Sequence, residues 1–214
     1  MSNIVEIRRL NARPAEFRVE RVTRKDGGVD TFIKGYAAVF EQYSRPFWDE
    51  WVEVISSRAF DNTDMSDVVM VVDHARDVSS VLARSKDGIG TLEISVDEVG
   101  VAFRFLVPGT TKGSDIVALV ERGDISECSF AFYVGADRWL YDVEVDGKKF
   151  DVRRIENVAK LVDLSIVVNG QYGQTSVSVE ERNAIDNSRK ATRPQTKREG
   201  MSYRLAKAIV DTLN

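Results

Sequence analysis

The chain has 214 residues, 43% of them hydrophobic and 30% charged, with a formal net charge of −4. These values suit one folded domain with a full hydrophobic core, and they exclude disordered, collagen-like and disulfide-rich chains. The single cysteine, Cys128, has no partner for an internal disulfide, which fits a reducing compartment and excludes a cysteine-rich zinc site. The acidic balance gives no overall attraction to nucleic acid, and no stretch approaches the roughly 18 apolar residues of a membrane span, so neither is expected as a partner. Met1 to Arg9 lacks the apolar run of a secretory signal, and the cytoplasm is the expected location.

Phe17 to Arg24 and Thr31 to Phe40 are rich in β-branched and aromatic residues and flank Asp26-Gly27-Gly28, which reads as a hairpin. Val68 to Val72 is an unbroken apolar run, the pattern of a strand buried on both faces, and it ends at Asp73-His74. Gly90 to Val96 and Val99 to Val107 form a second hairpin, closed by Pro108-Gly109. Ser114 is placed to cap a helix whose apolar stripe is Ile116, Val117, Leu119 and Val120, with Gly123 at its C-terminal cap. Ile125 to Val134 and Leu161 to Val168 read as strands, joined through a charged hairpin around Asp146-Gly147.

Beyond Arg182 the sequence turns polar and basic, which reads as a flexible linker before a short amphipathic helix over Tyr203 to Leu213. Residues 1–180 are therefore expected to form the domain and 181–214 a solvated basic tail, with docking on an acidic partner as the alternative. Many short strands with one or two helices predict a mainly β fold, a barrel or sandwich with peripheral α-helices.

Three positions bear on chemistry. His74 is the only histidine, so acid–base chemistry by an unperturbed imidazole near neutral pH falls to it. The competing explanation is a hydrogen-bonded histidine at a strand end. In Ser126 to Tyr133, strand alternation puts Cys128, Phe130 and Phe132 on one face and Ser129 and Ala131 on the other. The bulky face should be core, which leaves Ser129 beside a small residue where a peptide carbonyl can approach. By the same alternation Cys128 is a buried small hydrophobe rather than a nucleophile. Asp163 lies inside the apolar run Leu161 to Val168, where a carboxylate needs a partner. His74 is one such partner; Arg84 and Arg153 are others, and Glu156 and Asp73 compete with Asp163 for the imidazole.

Together these segments resemble the tailed-phage prohead protease family over roughly residues 35–177. The resemblance rests on Gly35 to Phe40, Glu53-Val54-Ile55 with Arg58-Ala59-Phe60 before a first helix, Val71 to His74 followed by Leu82-Ala83-Arg84, Gly123-Asp124-Ile125 leading to Ser129-Phe130-Ala131-Phe132, Leu161 to Ser165, and Tyr172 to Val177. Ala131 stands where the family often carries glycine, and Asn169-Gly170-Gln171 where it carries proline. The resemblance implies a herpesvirus-protease-like β-barrel ringed by helices, and a serine endopeptidase in which Ser129 is the nucleophile, His74 the base and Asp163 the acidic third member. A second histidine as third member, the herpesvirus version, is excluded by the count. The implied substrates are scaffold protein, the scaffold segment of the major capsid protein, and the enzyme itself, inside the assembling procapsid. No cofactor or metal is expected, and a homodimer is expected by analogy. A non-catalytic assembly module and a cysteine hydrolase using Cys128 are the competing functions.

Overall fold

The computed structural model describes residues 4–9, 17–168 and 179–194. The strands are β1 (Val5–Arg9), β2 (Arg18–Thr23), β3 (Val29–Val39), β4 (Trp51–Ile55), β5 (Asp67–Val72), β6 (Ala83–Lys86), β7 (Ile89–Gly90), β8 (Leu92–Val96), β9 (Gly100–Leu106), β10 (Glu127–Val145) and β11 (Lys148–Val167). The helices are α1 (Thr111–Arg122) and α2 (Val179–Thr192). One sheet runs β1-β10-β11-β5-β6-β7, with β4 also paired to β11; the other runs β2-β3-β9-β8. The mainly β class is as expected, whereas the strands divide between two sheets and no closed barrel is found among the described residues.

β10 and β11 form a long hairpin closed by Asp146 (φ 49°) and Gly147 (φ 77°) between the paired residues Val145 and Lys148. A two-residue turn with both φ values positive matches strand twist, and Asp-Gly is the sequence that adopts it most readily. The inner face of this hairpin supplies Phe130, Phe132, Leu164 and Ile166, which pack with Ile33, Phe103 and Phe105 of the second sheet in one core. Fully burying one such side chain stabilises the fold by about 1.5–3 kcal/mol. Gly100 lets β9 approach β3, because a Cβ there would lie 1.9 Å from the Ala38 carbonyl oxygen.

α1 starts four residues earlier than Ser114 suggests. Its N-cap is Thr110, whose side chain accepts from the Gly113 N–H, while the Ser114 hydroxyl donates to the Thr110 carbonyl. Gly123 does end the helix in the left-handed region, at φ 79°. After Arg58-Ala59-Phe60 the chain runs through a turn and a bridge at Asp64 into β5, with no helix there.

The polar stretch after Arg182 also differs from expectation, being helical to Thr192. α2 is held by one apolar plug, Ile185, which is 3% exposed and packs with Phe47, Trp51 and Trp139. Three arginines on or next to it are used within the chain: Arg189 meets Glu50 at 2.5 Å, Arg193, just past the helix, meets Asp151 at 3.1 Å, and Arg182 lies over the Trp48 ring at 4.2 Å. Tyr203 to Leu213 fall outside the described residues. Ile185→Ala should lower stability by about 2–4 kcal/mol, read as an earlier urea midpoint. An unmoved midpoint would show α2 to be a loose appendage.

Candidate active site

β11 is the spine of the site. On one side it pairs antiparallel with β10, bringing Ser129 opposite Ser165 and Ala131 opposite Asp163. On the other it pairs parallel with β5, bringing Val71 opposite Ser165 and Val72 opposite Ile166. Asp163 and Ser165, two residues apart on a strand, share the face that does not carry Leu164 and Ile166.

β5 ends beside that face. Asp73 (φ 50°) and His74 (φ 54°) are both left-handed, a conformation that costs about 1–2 kcal/mol per residue with a side chain but is more accessible to Asp and His than to bulky residues. Neighbouring groups hold the turn in place. The Asp73 N–H donates to the Ile166 carbonyl at 3.0 Å, and the His74 N–H donates to Ser165 Oγ at 2.9 Å. The chain reversal sets the imidazole between the two neighbouring strands, with Nδ1 2.6 Å from Asp163 Oδ1 and Nε2 2.6 Å from Ser129 Oγ.

The chemistry available follows from these contacts. Asp163 is 6% exposed, and as a carboxylate it can only accept, so it fixes the proton on Nδ1 and aims the Nε2 lone pair at the serine hydroxyl. A hydroxyl so placed can pass its proton to Nε2 while its oxygen attacks a carbonyl carbon, and the imidazolium then lies against a carboxylate. Ser129 itself is fully buried, where its strand position suggests an open face; its hydroxyl donates to the Arg8 carbonyl oxygen at 2.9 Å.

Among the other candidates, Glu156, Arg84 and Arg153 have other partners. Glu156 pairs with Arg138 at 2.5 Å, and Asp73 serves the turn. Arg84 binds Asp67 through two nitrogens at 2.6 and 2.7 Å, and Arg153 binds Glu6, Glu53 and Asp137. Cys128 is fully buried, and burial pushes its thiol up to about 12, so it is protonated at neutral pH and ill suited to nucleophilic attack.

Two features lie beyond the sequence reading. Ser165 places His74, and its signal was available in the strand spacing from Asp163. The second is a buried ionic cluster beside Ser129. Arg8 reaches Glu53 with Nε at 2.6 Å and Nη2 at 3.1 Å, Glu181 with Nη1 at 2.7 Å and Glu6 with Nη2 at 2.5 Å. Arg153 reaches Glu6 at 2.6 and 2.9 Å. Burial opposes the charge of Glu6, but Arg8 and Arg153 outweigh it and hold that carboxyl below its usual range. Burial pushes the Glu181 carboxyl up.

Ser165→Ala should cut kcat by about 10- to 100-fold with KM unchanged, because it frees the His74 backbone and small misplacements of a reacting group carry costs of that order. An unchanged kcat would show that the turn is held without the hydroxyl. Among the described residues no group of three or more His, Cys, Asp or Glu side chains is placed to hold a metal ion.

A family model described as Caudovirus prohead serine protease matches residues 18–190, a span that contains His74, Ser129 and Asp163 and begins after β1. No curated protein sequence matches the chain. Among solved structures it is similar to the bacteriophage T4 capsid assembly protease, gp21, at 11% identity and a TM-score of 0.45, over 78% of this chain and 98% of that one.

Proposed function

Since the chain belongs to the caudovirus prohead serine protease family, we propose that it is the endopeptidase that matures a phage procapsid, acting through Ser129, His74 and Asp163. The observation that carries the assignment of roles is the run of contacts from Asp163 Oδ1 through the His74 ring to Ser129 Oγ, 2.6 Å at each link.

In this reading His74 Nε2 takes the proton of Ser129 as Oγ attacks a peptide carbonyl. It then gives that proton to the leaving amine, so the C–N bond breaks and an acyl-enzyme remains. Water, activated by the same nitrogen, hydrolyses the ester and restores the hydroxyl. Asp163 keeps the ring oriented and stabilises the imidazolium. The steps use side chains of the chain alone and call for no metal or organic cofactor. The proposed substrates are scaffold protein, the scaffold segment of the major capsid protein and the protease itself, met inside the assembling procapsid in the host cytoplasm.

The test is co-expression of capsid and scaffold proteins from the same genome with and without this chain, read by intact mass spectrometry of the assembled particles. Shortened subunits only when the chain is present are expected. Full-length subunits in both particles would reject the maturation role and favour a non-catalytic assembly module.

A further inference from the structure

β1 lies against the edge of the nucleophile strand. It pairs antiparallel with β10 in the register Val5 to Tyr133, Ile7 to Ala131 and Arg9 to Ser129, so an extended segment of the chain runs past Ser129 as an added strand. Extended peptides commonly dock on a sheet edge in this manner, with backbone bonds giving affinity and side-chain pockets giving selectivity. The carbonyl nearest the nucleophile is that of Arg8, at 2.9 Å from Ser129 Oγ.

The side chains of β1 enter a charged cleft. Arg8 is 5% exposed, clamped between Glu53 and Glu181, with its guanidinium 5.5 Å from the Phe47 ring centroid and 5.8 Å from that of Phe132. Glu6, 3% exposed, meets Arg153. A cavity of about 270 Å³ continues past Glu6, lined in part by Ile4, Gly135 and Ile185. If β1 left, Glu53 and Glu181 would lose the Arg8 guanidinium and Arg153 would lose Glu6. Removing one partner of a desolvated ion pair is costly, so the vacated cleft favours an occupant bringing a cation to Glu53 and Glu181 and an anion to Arg153.

We propose that the β10 edge and the Glu53–Glu181–Arg153 cleft form the substrate-binding groove, that it selects extended peptides with arginine just before the cut bond and a carboxylate two residues earlier, and that Glu6-Ile7-Arg8 occupies it in cis. This rests on the protease reading above. The occupant also quiets the nucleophile. One hydroxyl proton cannot serve both the Arg8 carbonyl and His74 Nε2, and Ser129 is covered while β1 is in place.

The inference is tested with the full chain and three coumarin amide peptides, acetyl-Val-Glu-Ile-Arg, acetyl-Val-Glu-Ile-Leu and acetyl-Val-Ala-Ile-Arg. The arginine peptide should exceed the leucine peptide in kcat/KM by about 100-fold or more, since a site built to bind a polar group rejects analogues that lack it. The alanine peptide should fall by about tenfold. In the full-length Ile7→Pro variant, whose proline disrupts strand pairing, hydrolysis of the arginine peptide should rise by about tenfold or more, because an intramolecular occupant competes at millimolar effective concentration. Equal rates on the arginine and leucine peptides would overturn the selectivity, an arm that needs no variant; a folded Ile7→Pro chain no faster than the parent would overturn the occlusion. If instead no peptide is cut and a small fluorophosphonate fails to modify Ser129 in either chain, the protease reading itself has failed.

Discussion

Ser129→Ala should reduce peptide-bond cleavage by about 10⁵- to 10⁶-fold, the scale on which loss of a triad nucleophile is felt. The reason is specific to the geometry. Oγ is the atom within 2.6 Å of His74 Nε2, and the neighbouring Cys128 thiol is turned into the core, so no adjacent nucleophile can take over. The fold should survive. The alanine loses one hydroxyl that donates to the Arg8 carbonyl, worth about 1 kcal/mol, and leaves a void smaller than a methylene. Circular dichroism and a urea midpoint close to the parent's, with cleavage at background, is the expected pair of results. Full activity in a pure Ser129→Ala chain would remove Ser129 from the mechanism.

Asp163→Asn should cost about 10⁴-fold in kcat with the backbone unchanged. A carboxylate can only accept from the imidazole, whereas an amide can donate to Nδ1 and stabilise the ring with its proton on Nε2, pointing at the serine instead of receiving from it. The imidazolium formed during attack also loses its counter-charge. KM should move little, because Asp163 lies behind His74 and touches Ser129 only through the ring. A loss below about tenfold would leave the orienting role to another group, and Asp73 or Glu156, the latter despite its pairing with Arg138, would have to be reconsidered.

How far the sequence revealed this arrangement depends on which physical signal each segment carries. β5, the start of β10 and the end of β11 are apolar-rich runs, and one buried carboxylate among them points to a partner; with a single histidine in the chain, the choice of partner is narrow. The hairpins of the second sheet are legible from alternation and Gly-containing turns. Sheet closure is not a local property, and the expected barrel has no counterpart in sequence periodicity that distinguishes it from two stacked sheets.

β1 was hidden for a sharper reason. Val5-Glu6-Ile7-Arg8 alternates as a strand should, but its burial is inverted: Glu6 and Arg8 face inward and Val5 and Ile7 are only half-buried. Their burial is stabilised by ion pairs contributed from β4, β11 and α2, up to 173 residues away in sequence, so no window around residue 8 contains the signal. α2 was missed likewise, because a helix anchored by Ile185 and three arginines on distant acids and a tryptophan shows little apolar period. The first residue of α1 turned on the choice between two hydroxyl caps, Thr110 and Ser114, which sequence alone does not rank.

The most direct measurement of the central claim is prolonged treatment of the wild-type and Ile7→Pro chains with a small fluorophosphonate, followed by peptide mass spectrometry of the adduct. One adduct per chain, on Ser129 and absent after His74→Ala, is the expected result. No adduct at Ser129 in either chain, or labelling that persists unchanged without His74, would contradict a serine activated by that histidine.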